Sequence, residues 1–511
     1  MTNRDFQIAL DYHERTKHSP RSVRANRHYL DWANQPLPFK IYRDLEATPL
    51  PRAVHGPKRP LLSILDADLI EPRPGPISTQ ELARLLYFSA GITKRKKHPG
   101  GEIAFRAASC TGALYEIELY VVCGDLDGLA AGVYLYSPRD ESLYRLRQGD
   151  YRSFLVAAAA KETRLSSMAL AIISTGTYWR NAWKYQARTY RHFGWDNGTI
   201  LANLLTMCNA LQLPAHLLLG FQDPEINRLL DLDTDREVSL SMVAVGGVAH
   251  VADPHPRPSV EPLQLATIPL SEREVDYPEM REMHQCTFLN SGLEVQAWRS
   301  QSLIARPIPP AGQTVPLERK GVELLSSDPP ERVILRRGSS RRFERKPISF
   351  RQFSSLLRLA SRGLSADFLE SMATLNDWYL IVHAVEDLLP GSYYFHRRSG
   401  DIELLRPGNF RNEAGHLGLG QQLPSDASFD VFFLADLDTL LARYGNRGYR
   451  AVQLEAGILG GKLYLAAYAQ RLGATGLTFF DDDVVNFFSP HAAGKSAIFL
   501  MALGRISHTR S

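Results

Sequence analysis

The chain has 511 residues, 44% of them hydrophobic and 22% charged, with a formal net charge of +4 at pH 7. This composition is typical of a folded soluble protein of about two to four domains, and the balanced charge does not indicate nucleic-acid binding. Four cysteines without a CxxC pair disfavour a disulfide framework or a zinc site. With no signal-peptide core and no apolar run of about 18 residues, the sequence predicts a cytoplasmic protein without membrane contact.

In chain order, residues 1–60 are predicted as an N-terminal extension, whose basic stretch at 12–27 is typical of a solvated arm. Ser78 and Glu81 then form a capping box that predicts the start of a helix. Apolar runs predict the strands that follow, which are "YEIELYVVC", "GVYLYS", "MALAIIS" and "SLSMVAVGG". Together these elements predict a first domain over 61–252.

A proline-rich stretch at 253–330 predicts a linker with helical pieces. The second domain is predicted over 331–508, with a capping box at Ser349 and Gln352. Its predicted strands are "WYLIVHAV", "GSYYFH", "FDVFFLADL" and "AIFLMALGR", and "EAGILGGKLYLAAYAQRLG" predicts a long amphipathic helix. Adjacent hairpin strands mixed with helices predict an α+β fold.

The two predicted domains repeat each other. "GVYLYSPRDESLYRLRQGD" begins at Gly132 and "GSYYFHRRSGDIELLRPGN" at Gly391, an offset of 259 (391 − 132) that also matches Asp223 with Asp482. Upstream, "ISTQELARLLYFSAG" matches "ISFRQFSSLLRLASRG" at an offset of 271 (356 − 85). The second copy therefore lacks the equivalent of "ITKRKKHPGGEI".

Three stretches resemble the FMN-dependent nitroreductase superfamily. "RRGSSRRF" is similar to its Arg-x-Ser-x-Arg-x-Phe/Tyr motif, and "GYRAVQLEAGILGGKLYLAAYAQRLGATGLTFFDDD" resembles its C-terminal half. "RAASCTGALYEIELYVV" resembles the Pro-Ser-Ala-Gly-x-Leu-Tyr-Pro pattern of the SagB/ThcOx-type dehydrogenase branch. The resemblance implies two tandem nitroreductase-like domains, each with a mainly antiparallel central sheet flanked by helices.

Members of this superfamily are typically homodimers that bind FMN at the dimer interface. One subunit supplies the arginine motif, the backbone beside flavin N5 and a C-terminal basic residue, and the other supplies the Pro-Ser-Ala-Gly loop. The resemblance therefore implies that this chain is an intramolecular pseudo-dimer and a monomer in solution.

The phosphate-binding positions differ between the two copies. The second copy keeps basic and hydroxyl side chains, namely Arg337, Ser339, Arg341 and Arg505. The first copy has acidic, apolar or absent side chains at those positions, namely Asp66, Asp68, Ile70 and Gly247. Because carboxylates repel a phosphate dianion, the resemblance implies that only the second copy binds the FMN phosphate.

The loop motif is kept by the opposite copy. In the first copy it consists of small residues, namely Ser109, Cys110, Thr111 and Gly112. The matching second-copy segment, 368–374, reads "FLESMAT" and lacks the glycine that lets backbone approach a flavin. The first copy has lost the phosphate motif and the second copy has lost the loop motif, so the two losses are complementary and predict one FMN per chain. The alternative is that both copies drifted independently and left no working site. Cys110 is either a structural residue or a reactive thiol.

Further site residues follow from the resemblance. The stretch beside flavin N5, where backbone N–H groups stabilise the reduced flavin, corresponds to Thr475, Gly476, Leu477 and Thr478. Lys184 and Tyr185 match the acid/base pair of azoline-oxidising members, whereas the second copy has Arg443 there, a poor base. The alternative is that Lys184 lies on the surface and Tyr185 in the core. No metal site is predicted.

The resemblance implies an FMN-dependent oxidoreductase that exchanges hydride at flavin N5. Within that class, the sequence is interpreted as a dehydrogenase of a C–N or C–H bond in a small molecule or peptide, with O2 reoxidising the flavin. The first alternative is a nitro or quinone reductase that uses NAD(P)H. The second alternative belongs to another class, a degenerate pseudo-dimer that binds flavin or a partner without turnover.

Overall fold

The apolar runs of the sequence form two antiparallel sheets, one in each half of the chain. The computed structural model describes residues 3–52, 56, 58–67, 73, 75–98, 101–246, 259–301, 308–319, 321, 324–370 and 373–507. The positions Asp68, Ile70 and Gly247 of the predicted phosphate comparison lie outside this part of the chain.

The described strands number nine in the first half and eight in the second. Those of the first half are Ala47–Pro49 (β1), Ile92–His98 (β2), Gly101–Arg106 (β3), Ile117–Cys123 (β4), Gly132–Ser137 (β5), Ser142–Gln148 (β6), Leu170–Thr177 (β7), Ala215–Leu218 (β8) and Glu237–Val245 (β9). Those of the second half are Thr314–Pro316 (β10), Phe343–Glu344 (β11), Asp377–Val382 (β12), Gly391–His396 (β13), Asp401–Pro407 (β14), Phe429–Ala435 (β15), Gly473–Leu477 (β16) and Ser496–Ile506 (β17).

Helices cover the faces of both sheets. Those up to the linker are Gln7–Arg15 (α1), Pro20–Ala25 (α2), Leu61–Asp66 (α3), Thr79–Ala90 (α4), Arg152–Ala158 (α5), Tyr178–Tyr185 (α6), Thr189–Ala210 (α7) and Asp223–Leu229 (α8). The linker and second half form Pro278–Gln285 (α9), Gly292–Arg299 (α10), Pro330–Arg336 (α11), Phe350–Ala360 (α12), Arg411–Leu417 (α13), Gln422–Asp426 (α14), Leu437–Tyr444 (α15), Arg447–Ala469 (α16) and Asp481–Phe488 (α17). Both predicted capping boxes, at α4 and α12, are present.

The two sheets have matching topology. The first runs in the order β1-β6-β5-β4-β7-β9-β8, and the second in the order β10-β14-β13-β12-β15-β17, with β16 and β11 also paired to β17. The β2–β3 hairpin stands apart as a two-stranded sheet of the first half. The α+β fold of two similar halves is thus confirmed.

The halves pack against each other through α7 and α16. A Cβ atom added at Gly198 would lie 2.5 Å from the Cα of Gly457, its counterpart at the offset of 259. A single hydrophobic cluster includes buried residues of both helices, such as Leu201 and Ile458. The interface between the halves is therefore part of the hydrophobic core.

Two reciprocal ion-pair clusters also join the halves. Asp223 accepts hydrogen bonds from Arg447 at 2.6 Å and Arg450 at 2.8 Å. On the opposite side, Asp481 contacts Arg191 at 2.6 Å and Arg188 at 3.2 Å. The counterpart of Asp223 is therefore Asp481, and our match to the next aspartate was wrong by one residue.

The N-terminal extension and the linker pack along both halves. Tyr12 of α1 donates to the Ala187 carbonyl at 2.5 Å, and His13 lies 3.1 Å from the Tyr449 hydroxyl. In the linker, Trp298 of α10 is buried and donates to the Tyr444 carbonyl at 3.0 Å. In the part of the chain that the structure describes, no helix combines the length and apolar character needed to span a bilayer.

Candidate active site

A cavity of about 1240 Å³ lies between the two halves. Its walls come from the segment after α11, the loop after β3, the end of β16, and parts of α6, α7 and α16. Pockets for one small ligand usually enclose about 300–1,000 Å³. The cavity is therefore large enough for a cofactor and a second ligand.

Most residues predicted for the site line this cavity. They are Ser109, Cys110, Thr111, Gly112, Lys184, Tyr185, Arg337, Ser339, Arg341, Thr475, Gly476, Leu477 and Thr478. Arg505 does not line it: its side chain is exposed and donates to the Pro347 carbonyl at 2.7 Å. Its neighbour Ile506 faces the cavity, since successive strand residues point to opposite faces. The structure therefore does not bring Arg505 to the other residues predicted to bind the phosphate.

The arginine motif follows the C-terminal end of α11. Arg337 donates from Nε to the Ala107 carbonyl at 2.9 Å, so it already joins the two halves, and burial lowers its pKa. Ser339 Oγ lies 3.1 Å from the Tyr464 hydroxyl, which also accepts from the Gly476 N–H at 2.8 Å. Arg341 is exposed at the cavity wall and has no hydrogen-bond or ion-pair partner among the described residues. Its guanidinium fork is available for a ligand anion.

The first-half loop turns sharply beneath the cavity. Gly112 has φ +65°, and a Cβ atom there would lie 2.8 Å from the Tyr185 hydroxyl oxygen, so this position requires glycine. Thr111 donates from its backbone N at 2.9 Å and from its hydroxyl at 3.0 Å to the buried carboxylate of Asp196 on α7. A core helix therefore holds the loop in place.

Cys110 belongs to a buried acidic cluster. Its Sγ lies 3.3 Å from carboxylate oxygens of both Glu116 and Asp196, and it accepts from the Tyr115 N–H at 3.0 Å. The Cys110 sulfur and one carboxylate oxygen each of Glu116 and Asp196 lie within 4.8 Å of one another, and the thiol is within hydrogen-bond distance of both carboxylates. Burial, followed by the two carboxylates, raises the pKa of the Cys110 thiol well above its usual value. Its surroundings favour the structural interpretation over a reactive thiolate.

Lys184 and Tyr185 lie in the last turn of α6 and face the cavity. The Lys184 ammonium lies 5.3 Å from the centroid of the Tyr185 ring, whose edge meets His192 at 4.8 Å between centroids. Burial is the main cause that raises the pKa of Tyr185 well above its usual value. Both side chains are half-buried at the cavity wall. Tyr185 is thus a neutral phenol within reach of a ligand.

Comparison with known proteins agrees with this architecture. Residues 334–505 match the model of the "Nitroreductase family". "Putative nitroreductase MJ1384" of Methanocaldococcus jannaschii is 27% identical over 171 residues, or 34% of this chain and 81% of that protein. A crystal structure described as a "putative nitroreductase from anabaena variabilis" is 29% identical with a TM-score of 0.76, covering 98% of this chain and 99% of that chain.

The chain is a nitroreductase-superfamily protein with two nitroreductase-like halves. The family model covers the half that keeps the arginine motif, and the Anabaena structure shares the two-half arrangement over nearly its whole length. This relationship supports an oxidoreductase in general.

In this nitroreductase-superfamily chain, the opposite cleft is closed by the chain itself. Segment 365–367 lies along β8, where the Leu217 N–H donates to the Ser365 carbonyl at 3.0 Å. The Asp367 carboxylate accepts from the Leu219 N–H at 2.9 Å and the Gly220 N–H at 2.8 Å. The position that corresponds to Leu219 in the second half is Thr478, whose buried hydroxyl has no partner among the described residues. One cleft is therefore filled by a carboxylate, while the other keeps open polar groups.

Sequence reasoning missed several lining residues. His18 of the N-terminal extension lines the cavity because its backbone N–H donates to Asp481 at 2.7 Å. Tyr464 and Tyr468 also line it, and their spacing of four residues along one helix face was a usable signal. For His18 the sequence held no such signal, since its position depends on a contact 463 residues away.

Proposed function

We propose that this nitroreductase-superfamily chain is an FMN-dependent oxidoreductase with a single flavin site between its halves. The observation that supports it best is that the arginine motif and the first-half loop line one cavity. Arg337 and Ala107, 230 positions apart, are hydrogen-bonded there. Family membership supports redox chemistry in general.

The residues present fit FMN. The fork of Arg341, which has no partner in the described part of the chain, and the hydroxyl of Ser339 suit a phosphate group, which arginine binds through charge-assisted hydrogen bonds. The segment after β16 supplies the Thr478 hydroxyl, which has no partner among the described residues, and Gly112 lines the cavity with backbone close to the Tyr185 hydroxyl. When bound, FMN supplies hydride exchange at its N5 atom.

Tyr185 is the residue we propose to move a proton during that exchange. Its phenol remains protonated because burial and nearby carboxylates raise its pKa. The ammonium group of Lys184, 5.3 Å from the ring centroid, would stabilise the phenolate that forms when the proton leaves. Asp196 positions the neighbouring loop through Thr111.

A matched pair of arginine variants tests the site. We expect wild-type protein to bind one FMN per chain, measured as flavin released on denaturation. Arg341→Gln should weaken FMN binding roughly 10–100-fold, because a hydrogen bond to a charged group contributes about 1.5–3 kcal/mol. Arg342→Gln should leave the affinity unchanged, since Arg342 is exposed and outside the cavity.

The other outcomes separate the alternatives. Two FMN per chain would contradict the single site. Colourless protein that cannot be reconstituted with FMN would favour the non-catalytic pseudo-dimer. If flavin is present, anaerobic bleaching by NADPH would favour the nitro or quinone reductase, and bleaching by a thiazoline peptide would favour the dehydrogenase.

A further inference from the structure

The cavity carries more positive charge than one flavin phosphate can neutralise. Among the described residues, eight lysine and arginine side chains line it, against the single carboxylate of Asp196. A phosphate monoester carries only about −1.5 to −2 charges at pH 7. The balance therefore points to a second anionic group.

Half of these cations are already engaged by the protein. Arg336 and Arg471 contact Asp328 at 2.9 and 3.0 Å. Arg106 donates to the Pro38 carbonyl at 2.6 Å, and Arg337 donates to the Ala107 carbonyl at 2.9 Å. These four side chains hold the cavity walls together.

The other four have no hydrogen-bond or ion-pair partner within the described parts of the chain. They are Lys94, Lys96, Lys184 and Arg341. Arg341 is one of the residues proposed to bind the flavin phosphate, and Lys184 lies against the Tyr185 ring. Lys94 and Lys96 remain, and they lie on a different element from the arginine motif.

The β2–β3 hairpin presents these two lysines to the cavity. Residues two apart on a strand share a face, and Phe105, paired with Lys94 across the hairpin, lines the cavity as well. Arg95, on the other face, is paired with Glu102 at 2.6 Å. Glu102 thus neutralises Arg95 on the outward face, whereas the two lysines that face the cavity have no ion-pair partner among the described residues.

We propose that Lys94 and Lys96 bind an anionic group, a carboxylate or a phosphate, on the second ligand of the cavity. This inference rests on the proposed function, since the flavin phosphate is what engages Arg341 and leaves the two lysines for another ligand. The cavity volume of about 1240 Å³ accommodates that second ligand. The hairpin corresponds to the segment that the second copy lacks, so Lys94 and Lys96 have no counterparts in the sequence of the second copy.

Two pairs of probes that differ in charge test the requirement for an anion. Calorimetry would measure the binding of 4-nitrobenzoate and of neutral 4-nitrobenzamide to the flavin-loaded protein, and of NADPH and NADH in a second arm. We expect 4-nitrobenzoate, NADPH or both to bind about fivefold more tightly than the less charged partner, a size typical of exposed ion pairs. Lys94→Gln/Lys96→Gln should abolish that preference, and so should about 0.5 M salt.

Lys97→Gln is the matched control, because Lys97 lies on the opposite hairpin face and outside the cavity lining. It should keep the wild-type preference. A preference for 4-nitrobenzoate indicates a carboxylate ligand, and one for NADPH indicates a phosphate. No preference in the wild type, or one that persists in the double variant, overturns the anion site. FMN content, measured separately for every variant, reports on the flavin site alone, so a failure of the flavin site and a failure of the anion site give different results.

Discussion

Tyr185 shows how single residues tune the site. Burial is the largest cause of its raised pKa, the negative groups of Asp196, Cys110 and Glu116 add to it, and Arg341 opposes it. An exposed tyrosine ionises near pH 10. Because this phenol ionises only above that value, it carries its proton at neutral pH and acts first as an acid.

Tyr185→Phe should therefore slow turnover without loss of flavin. We expect a decrease of about 10²–10⁴-fold, the usual contribution of a positioned proton donor, with unchanged FMN content. In the wild type, stopped-flow flavin absorbance should show no loss of rate from Tyr185 ionisation between pH 7 and 10.

Tyr444→Phe is a suitable control, since Tyr444 is the second-half counterpart, is buried, and donates to the Phe368 carbonyl at 2.9 Å. It should keep the wild-type rate. A Tyr185→Phe protein with full activity would contradict a role in proton transfer.

Local motifs were predictable from the sequence, whereas side-chain direction was not. The spacing of Arg337, Ser339 and Arg341 identified a group that does line the cavity. Arg505 was predicted beside them, but one position along a strand reverses the face, and the register could not be read from one sequence.

At the scale of elements, the repeat predicted the matching helices and strands but missed a local deletion. One residue is absent between β16 and α17 relative to the first half, which makes Asp481 the counterpart of Asp223. The run of three aspartates at 481–483 offers an identical residue at either offset. The two offsets are distinguished by the structure, in which Asp481 contacts Arg191 and Asp223 makes the equivalent contact with Arg447.

Segment 365–367 closes the second cleft. Loss of the Asp367 carboxylate should therefore lower the free energy of unfolding and leave the amount of bound FMN unchanged. Asp367→Ala leaves the Leu219 and Gly220 N–H groups without their acceptor. We expect about 1–3 kcal/mol less stability, measured by urea unfolding, with FMN still at one per chain.

The matched control is Glu370→Ala, three residues after Asp367, where the side chain is exposed. It should change the unfolding midpoint little. A second FMN bound by the Asp367→Ala protein would show that the carboxylate itself blocks a competent site, contrary to the loss of the phosphate motif in that cleft.

At the scale of the whole molecule, the halves exchange groups across one continuous core. Asp223 binds arginines of the second half, Asp481 binds arginines of the first, and the cavity takes walls from both. The site therefore depends on how closely α7 and α16 approach.

That approach requires glycine where the two helices cross. A Cβ atom at Gly457 would lie 2.6 Å from the carbonyl oxygens of Gly194 and Trp195, so Gly457→Ala must push the helices apart. We expect about 1–3 kcal/mol less stability from overpacking, together with weaker FMN binding as the cavity walls separate. Gly363→Ala is the control, because nothing lies within 4 Å of its added Cβ atom. Urea unfolding followed by flavin fluorescence measures both quantities, and a Gly457→Ala protein with unchanged stability and FMN affinity would contradict a site built on this crossing.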